Sequence, residues 1–198
     1  LAWAQRTNVV LSLAASKDSA NAKQREAAQN LVRRWFADAS TTQQELEKYI
    51  GVLQRGFKTI TARLNRGKFV LVDWAPLRRA VSIEEQARLN SAAFVLPDKR
   101  DSLDVIYIEQ GFFAENADVI QGPKFWSRIV LHEMSHLVCN TDDIVSGKVK
   151  RYATTGIGPH AGFPGRAAIR NADNWAMFGA DCAMALTETE RSQALWQK

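Results

Sequence analysis

Apolar residues fall on one helical face through the early part of the chain. From Ser19 to Asp38, Ala27, Ala28, Leu31, Val32, Trp35 and Phe36 share a stripe among Lys, Arg, Gln and Glu, which predicts an amphipathic helix. Thr42 and Glu45 then spell a capping box, and Leu46, Ile50, Leu53, Phe57, Ile60 and Leu64 continue at steps of three or four to Asn65-Arg66-Gly67. A helical hairpin follows, its stripes being packing surface. The period then changes: Phe69–Trp74, Ala93–Leu96 and Val105–Ile108 are short, β-branched and aromatic, and Pro97–Asp101 reads as a turn between the last two. These predict three strands of a small twisted sheet.

The segment from Phe125 to Asp143 is different again. Phe125, Trp126, Ile129, Val130, Leu131, Met134, Leu137 and Val138 leave almost no side polar, Gly122-Pro123 supplies a start and Asn140 a stop, so a buried helix is expected. Inside it stands His132-Glu133-Met134-Ser135-His136. At four-residue spacing both imidazoles project from one face and reach one ion, while Glu133 lies beside them without ligating. Three polar groups in an apolar helix need a partner, and zinc supplies one: two neutral imidazoles, a third protein ligand and a water make a catalytic site. Glu133 then takes a proton from that water and passes it to the leaving amine.

Beyond the helix, residues 147–170 carry Gly147, Gly156, Gly158, Pro159, Gly162, Pro164 and Gly165, a long connection expected to border the cleft as a lid or specificity loop. Asn171–Ala185 and Thr187–Gln197 read as two closing helices, the second begun by a capping box at Thr187 and Glu190.

The run Asn140-Thr141-Asp142-Asp143-Ile144-Val145-Ser146-Gly147 resembles the second motif of the aspzincins, the deuterolysin and peptidyl-Lys metalloendopeptidase group, which reads Gly-Thr-x-Asp-x-x-Tyr-Gly. Thr141, Asp143 and Gly147 match in register. Asn140 stands in place of the Gly, and Ser146 in place of the Tyr that stabilises the tetrahedral intermediate. Trp35-Phe36, the strand before Pro97, Ile108–Phe113 and Asn171-Ala172-Asp173-Asn174-Trp175 are also similar to the family, so the likeness covers most of residues 30 to 180. The resemblance implies that Asp143 is the third zinc ligand, with Asp142 as the alternative and an Asx turn as the plain reading of both. Tyr152 and His160 are the candidates to replace the missing Tyr as hydrogen-bond donors to the developing oxyanion. Asp173 and Asn174 are read as supports of the site or scaffold, with a helix N-cap as the alternative. Zincins generally add the substrate backbone to an edge strand beside the metal; residues 104 to 109 are the candidate, or else an interior strand.

Composition narrows the class. With 198 residues, 46% apolar and 24% charged, the chain is of ordinary globular type, expected to form one domain: a helical part at about 1–66, then sheet, zinc helix and substrate loop at about 67–198. The formal charge of +5 is dispersed, without aromatic-basic interleaving, so no nucleic-acid partner is expected, and no apolar run suits membrane insertion. The first residue is Leu, which suggests a processed chain or a domain of something longer, either secreted or delivered by a secretion system. Cys139 and Cys182 allow one bridge or two buried thiols.

These readings converge on an α+β zincin-like metallopeptidase domain that cuts polypeptide using Zn2+ held by His132, His136 and Asp143, with Glu133 as base. It is expected to be a monomer, with an immunity or inhibitor protein as a further partner. A cell-wall peptide amidase or effector toxin is the rival within hydrolases, and a zinc-binding module without catalysis the rival outside them. A lysine preference would need a carboxylate in the side-chain pocket, for which Asp181 and Glu109 are the candidates.

Overall fold

The computed structural model describes residues 1–67, 69–73, 92–95, 104–113, 118–160 and 162–195. Trp74, Leu96 and the expectations of a turn at Pro97–Asp101 and of a closing helix reaching Gln197 lie outside them. The chain opens with helix α1 (Ala2–Ala14), followed by a 3-10 turn and α2 (Ala22–Phe36), then α3 (Gln43–Arg66). A three-stranded sheet follows, made of β1 (Phe69–Val72), β2 (Ala93–Val95) and β3 (Asp104–Ile108). After the short α4 (Gln110–Phe113) comes α5 (Pro123–Cys139), a small hairpin of β4 (Val145–Ser146) and β5 (Val149–Lys150), the short α6 (Gly165–Ala168), α7 (Ala172–Cys182) and α8 (Glu188–Leu195). The fold is thus α+β, as the pattern of periods implies.

Both expected capping boxes form. Thr42 Oγ1 accepts from the Glu45 N–H at 3.2 Å while the Glu45 carboxylate accepts from the Thr42 N–H at 2.8 Å. Thr187 and Glu190 repeat the arrangement at the start of α8. Helix α1 was not foreshadowed, because its apolar residues do not segregate: Ala4, Thr7, Leu11 and Ala14 are buried while Val9 is exposed. It packs against α2, α3 and α7, so the expected hairpin becomes part of a three-helix layer.

The core between α2, α3 and α7 is aromatic. The Phe57 ring stacks on Trp175 with centroids 5.4 Å apart, and Phe36 meets Phe178 edge-on at 5.3 Å. Gly56 makes the stack possible, since a Cβ there would lie 2.3 Å from the Trp175 ring and 2.9 Å from Cys139 Sγ. Gly179 does the same at the crossing of α7 with α5, where a Cβ would sit 2.4 Å from Leu131. The residue next to the first histidine of the motif is therefore in direct contact with the backbone path of α7. Cys139 and Cys182 are separate free thiols, and burial pushes Cys139 up to about 12.

Two expectations are corrected, and a third gains detail. Strand β3 is the middle strand of the described sheet, pairing in parallel with β1 and antiparallel with β2, so it is the interior strand and not an edge; strand order is a tertiary property that local pattern does not carry. Helix α5 is not apolar all round: Trp126 and Ser127 face solvent in its first turns, and the Trp126 indole N–H donates to the Phe112 carbonyl at 2.9 Å. The connection 147–170, expected as a lid or specificity loop, is anchored to the body of the fold at several of its described residues. Ile157 and Phe163 are buried, the Ile157 N–H donates to the Ala194 carbonyl, and the Gly165 N–H donates to Asp38 Oδ2.

Replacing Gly56 by Ala tests the stack. A mid-helix Gly→Ala change favours the helix by about 1 kcal/mol, but forcing a methyl into the Trp175 ring costs about 1–3 kcal/mol or more. The expected outcome is net destabilisation, read as a lower denaturation midpoint in guanidinium; an unchanged or higher midpoint would show that Trp175 moves freely.

Candidate metal centre

His132 and His136 lie one turn apart on α5, as their spacing requires. Each ring is oriented through its Nδ1. His136 Nδ1 is 2.7 Å from the Thr141 carbonyl oxygen, which can only accept, so Nδ1 carries the hydrogen and Nε2 presents a lone pair. His132 Nδ1 is 2.9 Å from Asp173 Oδ1, an acceptor of the same kind. The two Nε2 atoms are then 3.0 Å apart. Lone pairs facing at that distance repel unless a cation or a proton sits between them.

Asp143 completes the set. Its Oδ1 is 3.2 Å from His132 Nε2 and 3.5 Å from His136 Nε2, and it is buried without a hydrogen-bond partner. Tetrahedral zinc with metal–ligand distances near 2.0–2.1 Å spaces its ligand atoms about 3.3 Å apart. The three donor atoms match that spacing, and their chemistry, two imidazole nitrogens and one carboxylate oxygen, fits zinc. Among the described residues they form a group able to hold a metal ion. Asp142, the alternative, turns outward to pair with Arg170. Its backbone does other work: the Asp142 N–H donates to the Arg170 carbonyl and its own carbonyl accepts from the Ala172 N–H, which ties the ligand segment to the start of α7.

Helix α5 ends at Asn140 with φ +54°, a left-handed conformation in which Asn is among the most tolerated residues after Gly. The departure from Gly at this position is therefore conformationally neutral. The reversal lets the Thr141 carbonyl swing back onto His136, while the Thr141 hydroxyl and Ser135 Oγ lie 2.7 Å apart and the Ser135 hydroxyl donates to the His132 carbonyl.

Beneath the histidines lies a buried ionic chain that sequence reading did not find. Asp173 is fully buried; its Oδ1 accepts from both His132 and Arg128 Nη1, the latter at 2.5 Å, and its Oδ2 accepts from the Ala153 N–H at 2.6 Å. Arg128 in turn donates to Asp118 Oδ2 at 2.6 Å. Burial alone would raise the Asp173 carboxyl, but the Arg128 charge and the His132 bond hold it down at about 2. The available signal was a lone arginine in an apolar helix four residues before His132; its partners, 10 and 45 residues away, are not visible locally. Asp173 supports His132 directly, and so is not an N-cap. Asn171 precedes α7, and its side chain staples the hairpin by accepting from the Ile144 N–H and donating to the Arg151 carbonyl.

Glu133 is buried, with Oε1 4.0 Å from His132 Nε2, and burial raises its carboxyl above the ordinary range. Tyr152 reaches the centre, yet its hydroxyl donates to Asp143 Oδ2 at 2.7 Å, so its hydrogen goes to a candidate ligand. His160 does not touch the three donors: it forms a backbone bridge with Phe163, and its Nδ1 accepts from the Gly162 N–H. Ser146 donates to the Gly162 carbonyl at 2.5 Å. Of the two lysine-pocket candidates, Asp181 is saturated by Arg34, Arg191 and the Trp35 indole, whereas Glu109 keeps one buried oxygen unpartnered.

The aspzincin family model, described as lysine-specific metallo-endopeptidase, matches residues 21–180. No curated protein and no solved structure matches the chain significantly.

The donor set also fixes how pH acts on metal uptake. Burial opposes a charge on His132, but the facing carboxylate of Asp143 and the hydrogen-bonded Asp173, with Glu133 nearby, overcome it and push the imidazole well above its usual range. The metal-free nest therefore holds a proton at neutral pH, and an incoming ion must displace it. Zinc affinity is expected to rise with pH through the neutral range, by up to about tenfold per unit. Calorimetry at pH 7 in buffers of different ionisation enthalpy should read about one proton released per ion; buffer-independent heat would show His132 to be neutral beforehand.

Proposed function

Since the chain belongs to the aspzincin family of zinc metallo-endopeptidases, we propose that it hydrolyses polypeptide with His132, His136 and Asp143 as zinc ligands and Glu133 as proton carrier. The observation that carries this reading is the convergence of two Nε2 lone pairs and an orphaned Asp143 Oδ1 on one point, with the Glu133 carboxylate buried beside them. When bound, zinc supplies a Lewis acid that polarises the scissile carbonyl and lowers the pKa of a water. Each protein group then has one task. The Thr141 carbonyl and Asp173 fix the imidazole tautomers, so that both rings present bare Nε2 atoms. Glu133, its carboxyl raised by burial above the ordinary carboxylate range, takes the proton of the attacking water and returns it to the leaving amine. Among the described residues no helix is long and apolar enough to cross a membrane.

The test is mass spectrometry of new termini after a denatured protein mixture is incubated with the zinc-loaded chain. Glu133→Gln and a chelated sample serve as controls. Cuts absent from both controls are expected, with Glu133→Gln retaining zinc while turnover falls by about 100-fold or more; the flanking residues then give the specificity. Zinc binding without cuts would sink the general endopeptidase reading and favour a single-target enzyme, a cell-wall amidase or a binding module.

A further inference from the structure

We propose that Tyr152 is a positioning residue of the metal centre, whose hydroxyl holds the outer oxygen of Asp143 so that Oδ1 alone faces the two imidazoles. The proposal rests on the zinc-ligand reading of His132, His136 and Asp143. Four observations carry it.

The two oxygens of Asp143 have unlike surroundings: Oδ1 is buried without a hydrogen-bond partner, while Oδ2 accepts from Tyr152 at 2.7 Å and lies 3.4 Å from Lys150 Nζ. Lys150 is over half exposed, so its attraction is screened and its long side chain is costly to fix. The phenol is half-buried, tilted beside the His132 ring with centroids 6.1 Å apart, and is the partner able to set an angle.

The next residue does the same for the other carboxylate. The Ala153 N–H donates to Asp173 Oδ2 at 2.6 Å, and Asp173 Oδ1 orients His132. One dipeptide thus holds the outer oxygens of a ligand and of a ligand's support. Its own position is fixed from outside the centre, because Asn171 brackets both arms of the β4–β5 hairpin. Finally, the residue three after Asp143 cannot serve, since the Ser146 hydroxyl is turned to Gly162. A tyrosine nine positions on, across the hairpin, takes hold of the carboxylate instead. Its single hydroxyl hydrogen is then committed to Asp143 and is not offered to a developing oxyanion.

Zinc affinity of Tyr152→Phe, measured by competition with a chromophoric chelator, separates the two roles. A positioning residue should weaken binding by about 10–100-fold and shift the visible spectrum of the cobalt-substituted protein, with far-ultraviolet circular dichroism unchanged. In an Asp143→Asn background the same change should have little further effect, because the hydroxyl acts through that carboxylate. Unchanged zinc affinity with a fall in kcat would make Tyr152 an oxyanion donor and overturn the proposal. So would a loss of affinity equally large with and without Asp143. A wild-type chain that binds no zinc would remove the metal reading itself, and the role of Tyr152 with it.

Discussion

A carboxylate taken out of water needs hydrogen-bond donors in its place, and Asp173 receives three of them from two other parts of the chain. Arg128 and His132 come from α5, the Ala153 N–H comes from the arm beyond the hairpin, and Asp173 itself stands in the first turn of α7. The uncompensated burial of such an ion costs several kcal/mol, so the three elements are held to one relative placement. Asp118 closes the account on the far side of Arg128, which is itself buried. Two acids and one arginine leave a net negative charge beside the histidines, and that excess is part of what makes the neighbouring nest attractive to a cation.

What local pattern could reveal was decided by range. The stripes of α2 and α3, the two capping boxes and the start of α5 at Gly122-Pro123 depend on residues within one or two turns, and all were legible. The spacing of His132, Glu133 and His136 on one face belongs to the same class. Asp143 was not legible from periodicity; it came from likeness to the family's second motif. Arg128 and Asp118 escaped because an ion pair between α5 and the segment before it, or between α5 and α7, leaves no mark on either segment alone. The middle position of β3 escaped for the same reason, and α1 because its buried face is built from Ala4, Thr7, Leu11 and Ala14, which do not read as a stripe.

The departures from the family motif have unequal weight in the structure. Asn140 meets the same backbone demand that Gly would, at φ +54°. Ser146 commits its hydroxyl to the Gly162 carbonyl, within the connection that also carries the buried Phe163. Two positions that look alike in a sequence comparison thus separate on physical grounds: one answers a demand of the backbone, the other places a side-chain hydrogen bond.

The three candidate ligands are graded in accessibility. The side chain of His132 is 6% exposed, that of His136 16% and that of Asp143 27%. An ion arriving from solvent would meet the aspartate first and the innermost imidazole last. The grading gives the centre a mouth and a floor. The mouth is the aspartate, held by the hairpin, and the floor is the imidazole anchored through Asp173 and Arg128.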